Sequence, residues 1–333
     1  MEYLSSKNIE KKYLYGGNAL NRVNFSLKKN EKMTVFGVES AGKTSLLKVV
    51  AGLTDISGGE ILLNGTNISE ISLKDRNFSM TFSDAFKSRR SVYENLFFSF
   101  KLRGADKKAF ESKLKEADGV FDISHLFFKT YGDLTETQKA TVTAVRCLMR
   151  EANLYLLDNP LKGLSKEDKT ALLLKILTYL RNKSGAVIYS TDDFFEACYL
   201  NFKTLVLNYG YTSAYGSLSE MERLPEDLYI CKLFDMNIIE EEARFAVVKK
   251  KDLRIAETEY AKPTARGKFI GASKAGDKNI LHFLNADGEY SYFDAEYPAD
   301  FETEFLLENQ DVINLTFDEN KALYYDKKTQ KPI

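Results

Sequence analysis

Hydrophobic and polar residues alternate in two different ways along this chain, and the change between them predicts two domains. Up to about residue 224, short apolar runs typical of buried strands alternate with longer segments of helical spacing. The clearest strand, helix, strand series covers residues 153–157, 166–182 and 186–190, with Ser165 as a candidate helix cap. This alternation predicts an α/β domain, and the mainly helical stretch at residues 91–150 predicts a subdomain that interrupts its sheet.

The first 65 residues add an antiparallel part to this domain. Residues 1–31 alternate apolar and polar positions, with a turn predicted at residues 15–17. Asn64-Gly65 lies between two apolar runs and is a strong signal for a β-hairpin. We therefore expect an antiparallel β insertion beside the main sheet.

Beyond Leu224-Pro225 the pattern becomes one of short strands. Apolar runs separated by Gly, Asp and Asn turns lie at residues 245–249, 268–272, 279–284, 290–293 and 312–317. Asp287-Gly288 is the clearest hairpin signal among them, and the spacing suits a barrel of the oligonucleotide/oligosaccharide-binding type. We predict domains at residues 1–230 and 240–333, with the boundary between residues 225 and 240.

A phosphate-binding motif lies near the start of the α/β domain. Gly37, Gly42, Lys43 and Thr44 match the pattern G-x-x-x-x-G-K-[ST], between an apolar strand and a helical segment. The glycines allow backbone N–H groups to turn toward phosphate oxygens, Lys43 reaches the terminal phosphates, and Thr44 offers its hydroxyl to Mg²⁺. The other candidate contacts in this predicted nucleotide site are Ser40, Ala41 and Ser45.

An acidic residue ends a predicted buried strand later in the chain. Residues 154–157 are apolar and are followed by Asp158 and then by the turn residues Asn159-Pro160. A carboxylate at the end of such a strand orients Mg²⁺ and its waters beside a phosphate-binding loop. Asp158 is therefore predicted to share a metal site with Thr44.

The composition excludes several functional classes. The 333 residues include 47 Lys and Arg against 48 Asp and Glu, whereas a nucleic-acid-binding protein is usually more basic. Three scattered cysteines and two isolated histidines, His125 and His282, favour neither a disulfide framework nor a metal site. The amino terminus lacks a leader pattern, and no apolar run approaches the ~20 residues needed to span a bilayer. We expect a soluble protein that does not bind nucleic acid.

With these motifs in order, the chain resembles the ATP-binding subunits of ABC transporters, most closely those of carbohydrate importers of the maltose type. Besides the two motifs above, the resemblance covers residues 51–53, 57–61, 73–76, 91–96, 101–104, 153–164, 187–191 and 314–326. It implies a P-loop ABC-type domain with antiparallel β and helical subdomains, the helical one at about residues 84–150, and a regulatory β domain at the C-terminus. It also implies ATP and Mg²⁺ as ligands and Tyr15 as the aromatic residue that stacks on adenine, with Tyr13 as the alternative.

The same resemblance implies partners and a location. ATP-binding subunits of this family pair with a second ABC ATP-binding subunit, the same or a different chain, and dock on membrane permease subunits. The region of residues 83–102 is the expected docking region in this chain. We therefore expect the protein to be cytoplasmic and peripheral on the inner face of the cell membrane.

The chain departs from the family pattern at positions that serve hydrolysis. The resemblance places Ser83 where the family has a nucleotide-sensing Gln, Asn159 where it has the general base Glu, and Asp192 where it has a switch His. The signature loop is Leu-Thr-Glu-Thr-Gln at residues 134–138, with Glu136 and its neighbour Thr137 in place of two glycines. An amide cannot accept a proton at pH 7 as a carboxylate does.

Together these features predict a protein that binds Mg-ATP but hydrolyses it poorly. One hypothesis is an importer subunit, for carbohydrate by resemblance, that works beside a competent ATPase subunit. The alternative is a regulatory protein outside transport that senses ATP and binds a protein partner, for example through residues 240–333. No catalytic position of the family is intact in either case.

Overall fold

The computed structural model describes residues 2–14, 16–82, 86–102, 104, 106–256, 265–287, 292–302, 306 and 312–333. Its contacts divide the chain into two compact units, Met1–Leu218 and Ser219–Ile333. The division precedes the boundary expected at residues 225–240. The reason is that Leu228 and Cys231, on a short helix in this stretch, pack in the core of the second unit.

The strands of the first unit form two sheets. They are Glu2–Tyr13 (β1), Gly16–Lys28 (β2), Lys32–Phe36 (β3), Gly58–Leu63 (β4), Thr66–Asn67 (β5), Phe78–Met80 (β6), Leu154–Asp158 (β7), Ala186–Thr191 (β8), Lys203–Asn208 (β9) and Tyr211–Gly216 (β10). One sheet has the order β2-β1-β4-β5 and is antiparallel, and its β4–β5 hairpin confirms the turn predicted at Asn64-Gly65. The other has the order β10-β9-β3-β8-β7-β6 and is parallel except for the β9–β10 pair.

Helices connect the parallel strands, as expected for an α/β domain. They are Lys43–Ala51 (α1), Val92–Lys101 (α2), Lys107–Phe121 (α3), Glu136–Leu148 (α4), Lys166–Arg181 (α5) and Phe194–Leu200 (α6). Helices α2, α3 and α4 lie between β6 and β7 in the chain and form the helical insertion. Ser165 caps α5 as predicted, because its side chain accepts a hydrogen bond from the backbone N–H of Asp168. Within the described residues, none of the helices is both long and apolar enough to cross a membrane.

Two hydrophobic cores hold the first unit together. One lies between the parallel sheet, the antiparallel sheet and α1, and includes Leu4, Val35 and Leu156. The other joins the opposite face of β7 and β8 to the helical insertion, with Tyr155 and Tyr189 fully buried in it. Strand β7 therefore contributes apolar side chains to both cores, as a strand of a parallel sheet covered on both faces does.

The second unit is small and rich in β-structure. It contains the helices Leu218–Arg223 (α7) and Leu228–Leu233 (α8) and the strands Asn237–Glu240 (β11), Arg244–Val248 (β12), Arg254–Ile255 (β13), Ala265–Ala275 (β14), Lys278–Asn285 (β15), Tyr292–Pro298 (β16), Val312–Thr316 (β17) and Leu323–Asp326 (β18). These strands pair as a three-stranded sheet, β11-β12-β18, and a five-stranded sheet, β13-β17-β14-β15-β16, both antiparallel. The small β domain is thus confirmed, although no pairing among the described strands closes the larger sheet into a barrel. Gly288 of the predicted hairpin lies outside the described residues.

Candidate functional site

The carboxyl ends of β3, β8 and β7 lie side by side at one edge of the parallel sheet. The register pairs Phe36 with Thr191, and Asp158 with Ser190. The loop after β3 is therefore brought to the end of β7 and the turn after β8, although it lies more than a hundred residues before them in the sequence. Open α/β sheets bind ligands at this edge.

The loop between β3 and α1 has a backbone that only small residues permit. Gly42 has φ 104°, and a Cβ atom at this position would lie 2.3 Å from the carbonyl oxygen of Ala19. A Cβ at Gly37 would lie 2.4 Å from the carbonyl oxygen of Leu207. Ser40 also has a positive φ, 64°. Helix α1 begins directly after Gly42 with neither a side-chain cap nor an acidic residue in its first turn, so its first N–H groups suit an anion.

Lys43 fills the centre of this loop. Its side-chain nitrogen donates hydrogen bonds to the carbonyl oxygens of Gly37 at 2.6 Å and Val38 at 2.8 Å. Burial lowers the pKa of Lys43, while the charges of Asp192 and Asp158 oppose that shift. A cation is thus held where the loop bends around a space suited to phosphate groups.

Thr44 and Asp158 meet across this edge of the sheet. The Thr44 hydroxyl donates to Oδ1 of Asp158 at 3.1 Å, and the same oxygen accepts a hydrogen bond from the Ser190 hydroxyl at 2.8 Å. The backbone N–H of Asp158 donates to the Thr81 hydroxyl at 2.8 Å, which fixes the end of β7. A hydroxyl and a carboxylate are the hard oxygen donors that Mg²⁺ prefers, so these residues fit the predicted metal.

Asn159 follows Asp158 in a left-handed backbone conformation, with φ 43°. Its backbone N–H donates to the carbonyl oxygen and the hydroxyl of Ser190, at 3.1 and 2.9 Å. Its side-chain oxygen Oδ1 is buried and has no hydrogen-bond partner among the described residues. An amide whose oxygen is buried therefore occupies the position next to the Asp158 carboxylate.

Asp192 lies in the turn between β8 and α6. It lines the same cavity as Gly42, Lys43 and Thr44, together with Asn159. The carboxylate therefore adds negative charge to the space where phosphates would bind. A neutral or cationic side chain at this place would stabilise them, whereas an anion repels them.

The loop at residues 134–138 forms the start of α4. The hydroxyl of Thr135 accepts a hydrogen bond from the backbone N–H of Gln138, and the side-chain oxygen of Gln138 accepts one from the backbone N–H of Thr135, which makes a capping box. Glu136 is the first residue of the helix and pairs with Lys139 at 2.8 Å. Glu136 also lines a larger cavity that reaches Thr44 and Asp158. Its carboxylate is thus turned along its own helix, where Lys139 offsets part of its charge.

The family profile described as ABC transporter matches residues 20–162, which include the phosphate-binding loop, the α4 loop and Asp158. This chain carries an ABC transporter ATP-binding domain. The match ends just after Asn159-Pro160. It therefore covers the two motifs that were predicted from the sequence for the phosphates and the metal.

Curated relatives of the ABC domain have names that specify import. The chain is 28% identical to the sn-glycerol-3-phosphate import ATP-binding protein UgpC of Cupriavidus metallidurans, over 69% of this chain and 63% of that protein. It is 28% identical to the protein of the same name from Jannaschia sp., over 71% of this chain and 68% of that protein. The chain thus spans slightly less than two thirds of the length of the Cupriavidus relative.

Solved structures share the fold of the ABC domain. The chain is similar to cbiO1 of Clostridium perfringens, with a TM-score of 0.58 and 20% identity over 67% of this chain and 95% of that chain. It is also similar to a nucleotide-free ATP-binding cassette from an ABC transporter, with a TM-score of 0.59 and 20% identity over 70% of this chain and 99% of that chain. At this identity the likeness establishes the fold.

Two residues predicted for the site of the ABC domain, Tyr15 and Ser83, lie outside the described residues. The alternative aromatic residue, Tyr13, is described. Its hydroxyl lies 3.3 Å from the hydroxyl of Ser45 in α1, and the ammonium of Lys11 lies 5.0 Å from the centre of its ring. Tyr13 therefore stands beside the phosphate-binding loop with an exposed ring.

Four further residues lie at the site and were not predicted from the sequence. Ser190 and Thr81 orient the end of β7 through the hydrogen bonds given above. Lys162 and Glu39 form an ion pair of 2.7 Å at the cavity that holds Lys43. The sequence signal for Glu39 was its position inside the phosphate-binding motif, where an acid opposes the function of the loop.

Proposed function

We propose that this chain is the ATP-binding subunit of an ABC importer, for carbohydrate or a related polyol, that holds Mg-ATP but hydrolyses it poorly. In this proposal it pairs with a competent ATP-binding subunit and docks on membrane permease subunits, peripheral to the cytoplasmic face of the membrane. The names of the relatives, which specify import of sn-glycerol-3-phosphate by those proteins, support the importer class.

The nucleotide-holding part of the proposal is supported by the groups of the phosphate-binding loop. Gly37 and Gly42 allow the loop its tight path, because a Cβ atom at either position would meet the carbonyl oxygen of Leu207 or Ala19. Lys43 supplies a cation, and the first N–H groups of α1 supply donors. Thr44 and Asp158 would hold Mg²⁺, which would offset part of the negative charge of the phosphates.

The observation that carries the proposed loss of hydrolysis is the amide of Asn159. In this position a general base would take a proton from the attacking water, and an amide oxygen is too weak a base to do so at pH 7. The absence of a positioned base costs about 10²–10⁴-fold in rate. Asp192 acts in the same direction, since its carboxylate lines the phosphate cavity.

The proposed pairing with a competent subunit follows from the positions of Asn159 and Glu136 in the sites that two subunits share. In the family each nucleotide is shared between the P-loop of one subunit and the signature loop of the other. A second copy of this chain would repeat both the Asn159 amide and the Glu136 side chain in each site. A partner with an intact base would keep one site able to turn over, with this chain as the regulatory half.

A groove beside the α/β core supports the proposed permease contact. It is lined by Leu53, Leu73, Phe82 and Leu102, and these four large apolar side chains are between 41% and 69% exposed. Phe82 and Leu102 border the region that the sequence predicted for docking. Exposed apolar residues grouped around one groove favour a protein partner, and a short amphipathic helix fits such a groove.

Calorimetric titration of the purified chain with Mg-ATP tests the nucleotide part. We expect the chain to bind Mg-ATP and Lys43→Ala to abolish this binding. Lys115→Ala, a change at an exposed lysine of α3, should leave the binding unchanged. The rate of ATP hydrolysis by the same preparation should stay near background. Equal affinity in Lys43→Ala and the unaltered chain would contradict the P-loop role, and rapid turnover would contradict the role given to Asn159.

The second candidate is a regulatory ATP sensor outside transport, which the combined changes at Asn159, Asp192 and Glu136 favour. Affinity purification from detergent-solubilised membranes separates the two candidates. Recovery of permease subunits, lost in Leu53→Asp with nucleotide affinity retained, supports the importer subunit. Recovery of soluble partners alone supports the sensor.

A further inference from the structure

We propose that Lys162 is a second cation for the terminal phosphate of a bound nucleotide and that Glu39 holds its ammonium when no nucleotide is bound. The pair would make the site prefer nucleoside triphosphates over diphosphates. This inference rests on the proposed function, because it concerns the same nucleotide site.

The position of the ion pair carries the inference. The Lys162 side-chain nitrogen lies 2.7 Å from Oε1 of Glu39, and both side chains line the cavity formed by Gly42, Lys43 and Thr44. Lys162 also lines the neighbouring larger cavity that contains Asp158. Lys162 therefore borders both the cavity of the phosphate-binding loop and the cavity that contains Asp158, where the last phosphate of a nucleotide would extend.

The local structure allows Lys162 to change partner without disturbing the fold. Its backbone is fixed, since its N–H donates to the carbonyl oxygen of Asn159 at 3.2 Å and the preceding residue, Leu161, is fully buried. Its side chain is 56% exposed and that of Glu39 is 78% exposed. An exposed pair of this kind contributes little to stability, so its ammonium can exchange one anion for another at small cost.

The charges around the cavity explain why a second cation is needed. Lys43 and Lys162 face Glu39 and Asp192 in its lining, so the charges of these four side chains cancel. Removal of Lys162 would leave an excess of negative charge where an anionic ligand must enter.

Binding of a triphosphate would replace the Glu39 carboxylate by a phosphate oxygen as the acceptor of the Lys162 ammonium. No covalent bond changes in this exchange. A diphosphate ends one phosphate earlier and leaves Lys162 on Glu39. The two nucleotides should therefore respond differently to substitution of Lys162, whereas both depend on Lys43.

Calorimetric titrations of the full chain with the Mg²⁺ complexes of a non-hydrolysable ATP analogue and of ADP test this inference. We expect Lys162→Gln to weaken binding of the analogue about 10-fold, the size of one charge-assisted hydrogen bond, and to change ADP binding by less than about twofold. Glu39→Gln should strengthen binding of the analogue, because it frees Lys162 and removes a negative charge. Lys115→Gln is the matched control, and an unchanged melting temperature verifies that each variant is folded.

The outcomes separate the two proposals. If Lys162→Gln has no effect, or weakens the binding of both nucleotides equally, the inference is wrong. The proposed function would still stand in that case, provided that nucleotide binding depends on Lys43. If the unaltered chain binds neither nucleotide, the proposed function and the inference both fail. A loss confined to the triphosphate, with the opposite change in Glu39→Gln, supports the inference.

Discussion

The two halves of the candidate site differ in what they are made of. The half suited to holding a nucleotide depends on backbone shape at Gly37 and Gly42 and on the contact between Thr44 and Asp158. The half that would serve turnover depends on single side chains, and there Asn159 and Asp192 stand where the family resemblance expects a base and a histidine. A backbone cradle is maintained by the fold around it, whereas one side chain can change without loss of the fold. The proposed loss of hydrolysis with retention of nucleotide binding would follow from this difference.

The largest expected effect comes from breaking the backbone cradle. Gly42→Val places a Cβ atom 2.3 Å from the Ala19 carbonyl oxygen, in a backbone with φ 104° that β-branched residues avoid. We expect loss of measurable nucleotide binding and a fall of about 1–3 kcal/mol in the free energy of unfolding. Titration calorimetry and urea denaturation measure the two effects.

The control for that experiment is Gly119→Ala. Gly119 lies within α3, and a Cβ atom there has no neighbour within 4 Å. We expect a gain of about 0.5–1 kcal/mol in unfolding free energy and unchanged nucleotide affinity. A loss of binding in Gly119→Ala as severe as in Gly42→Val would mean that the Gly42 effect is not local.

A smaller effect is expected from loss of the contact between Thr44 and Asp158 in the nucleotide-holding half. Asp158→Asn removes the carboxylate that accepts hydrogen bonds from Thr44 and Ser190, so Mg²⁺ loses a charged ligand. We expect about 10–100-fold weaker ATP binding in Mg²⁺ and little change when Mg²⁺ is removed with a chelator. Asp122→Asn, at an exposed left-handed position that Asn also tolerates, is the control. Equal losses with and without Mg²⁺ would contradict the metal role.

Replacing the amide by a carboxylate tests the turnover half directly. Asn159→Glu should raise the rate of ATP hydrolysis by no more than about 10-fold, well below the range a positioned base can give, because Asp192 and Glu136 remain. The left-handed backbone at Asn159, φ 43°, also favours Asn over Glu. Asn159→Gln has the size of Glu without its charge, and a rate equal to that of Asn159→Glu would show that the carboxylate does not act as a base.

The smallest expected effect concerns the loop that begins α4. Thr135→Ala removes the side-chain cap of this helix and should cost about 1 kcal/mol of unfolding free energy while nucleotide affinity stays unchanged in the isolated chain. Thermal and urea unfolding measure the cost. Thr170→Ala, inside α5 rather than at a cap, should cost less. A change in nucleotide affinity in Thr135→Ala would mean that α4 contributes to the site within one chain.

Much of the fold was predictable because its signals are local. The cap at Ser165 and the apolar run of residues 154–157 depend on near neighbours in the chain, and the structure has α5 and β7 at those places. The division between the two units was less predictable. Short helices such as α8 pack through only a few side chains, and their sequence does not specify which core receives them.

The site was predictable to the extent that its motifs are continuous in sequence. The loop from Gly37 to Ser45 is one such motif. The ion pair of Glu39 with Lys162 joins residues 123 positions apart, so it exists only because β3 and β7 end at the same sheet edge. The hydrogen bond of Ser190 to Asp158 has the same origin. An acid inside the phosphate-binding motif marks Glu39 as unusual, but no local signal in the sequence indicates that its partner is Lys162 or that Ser190 contacts Asp158.

The two hydrogen bonds that Lys43 donates to Gly37 and Val38 affect the enthalpy and the entropy change expected for nucleotide binding. The ammonium is already satisfied by carbonyl oxygens of its own loop, so an arriving phosphate exchanges hydrogen bonds instead of adding them. The heat released at this group is then a small difference between two similar interactions. Because the same bonds keep the loop in shape before a nucleotide binds, little chain entropy should be lost on binding, and the entropic penalty should be small.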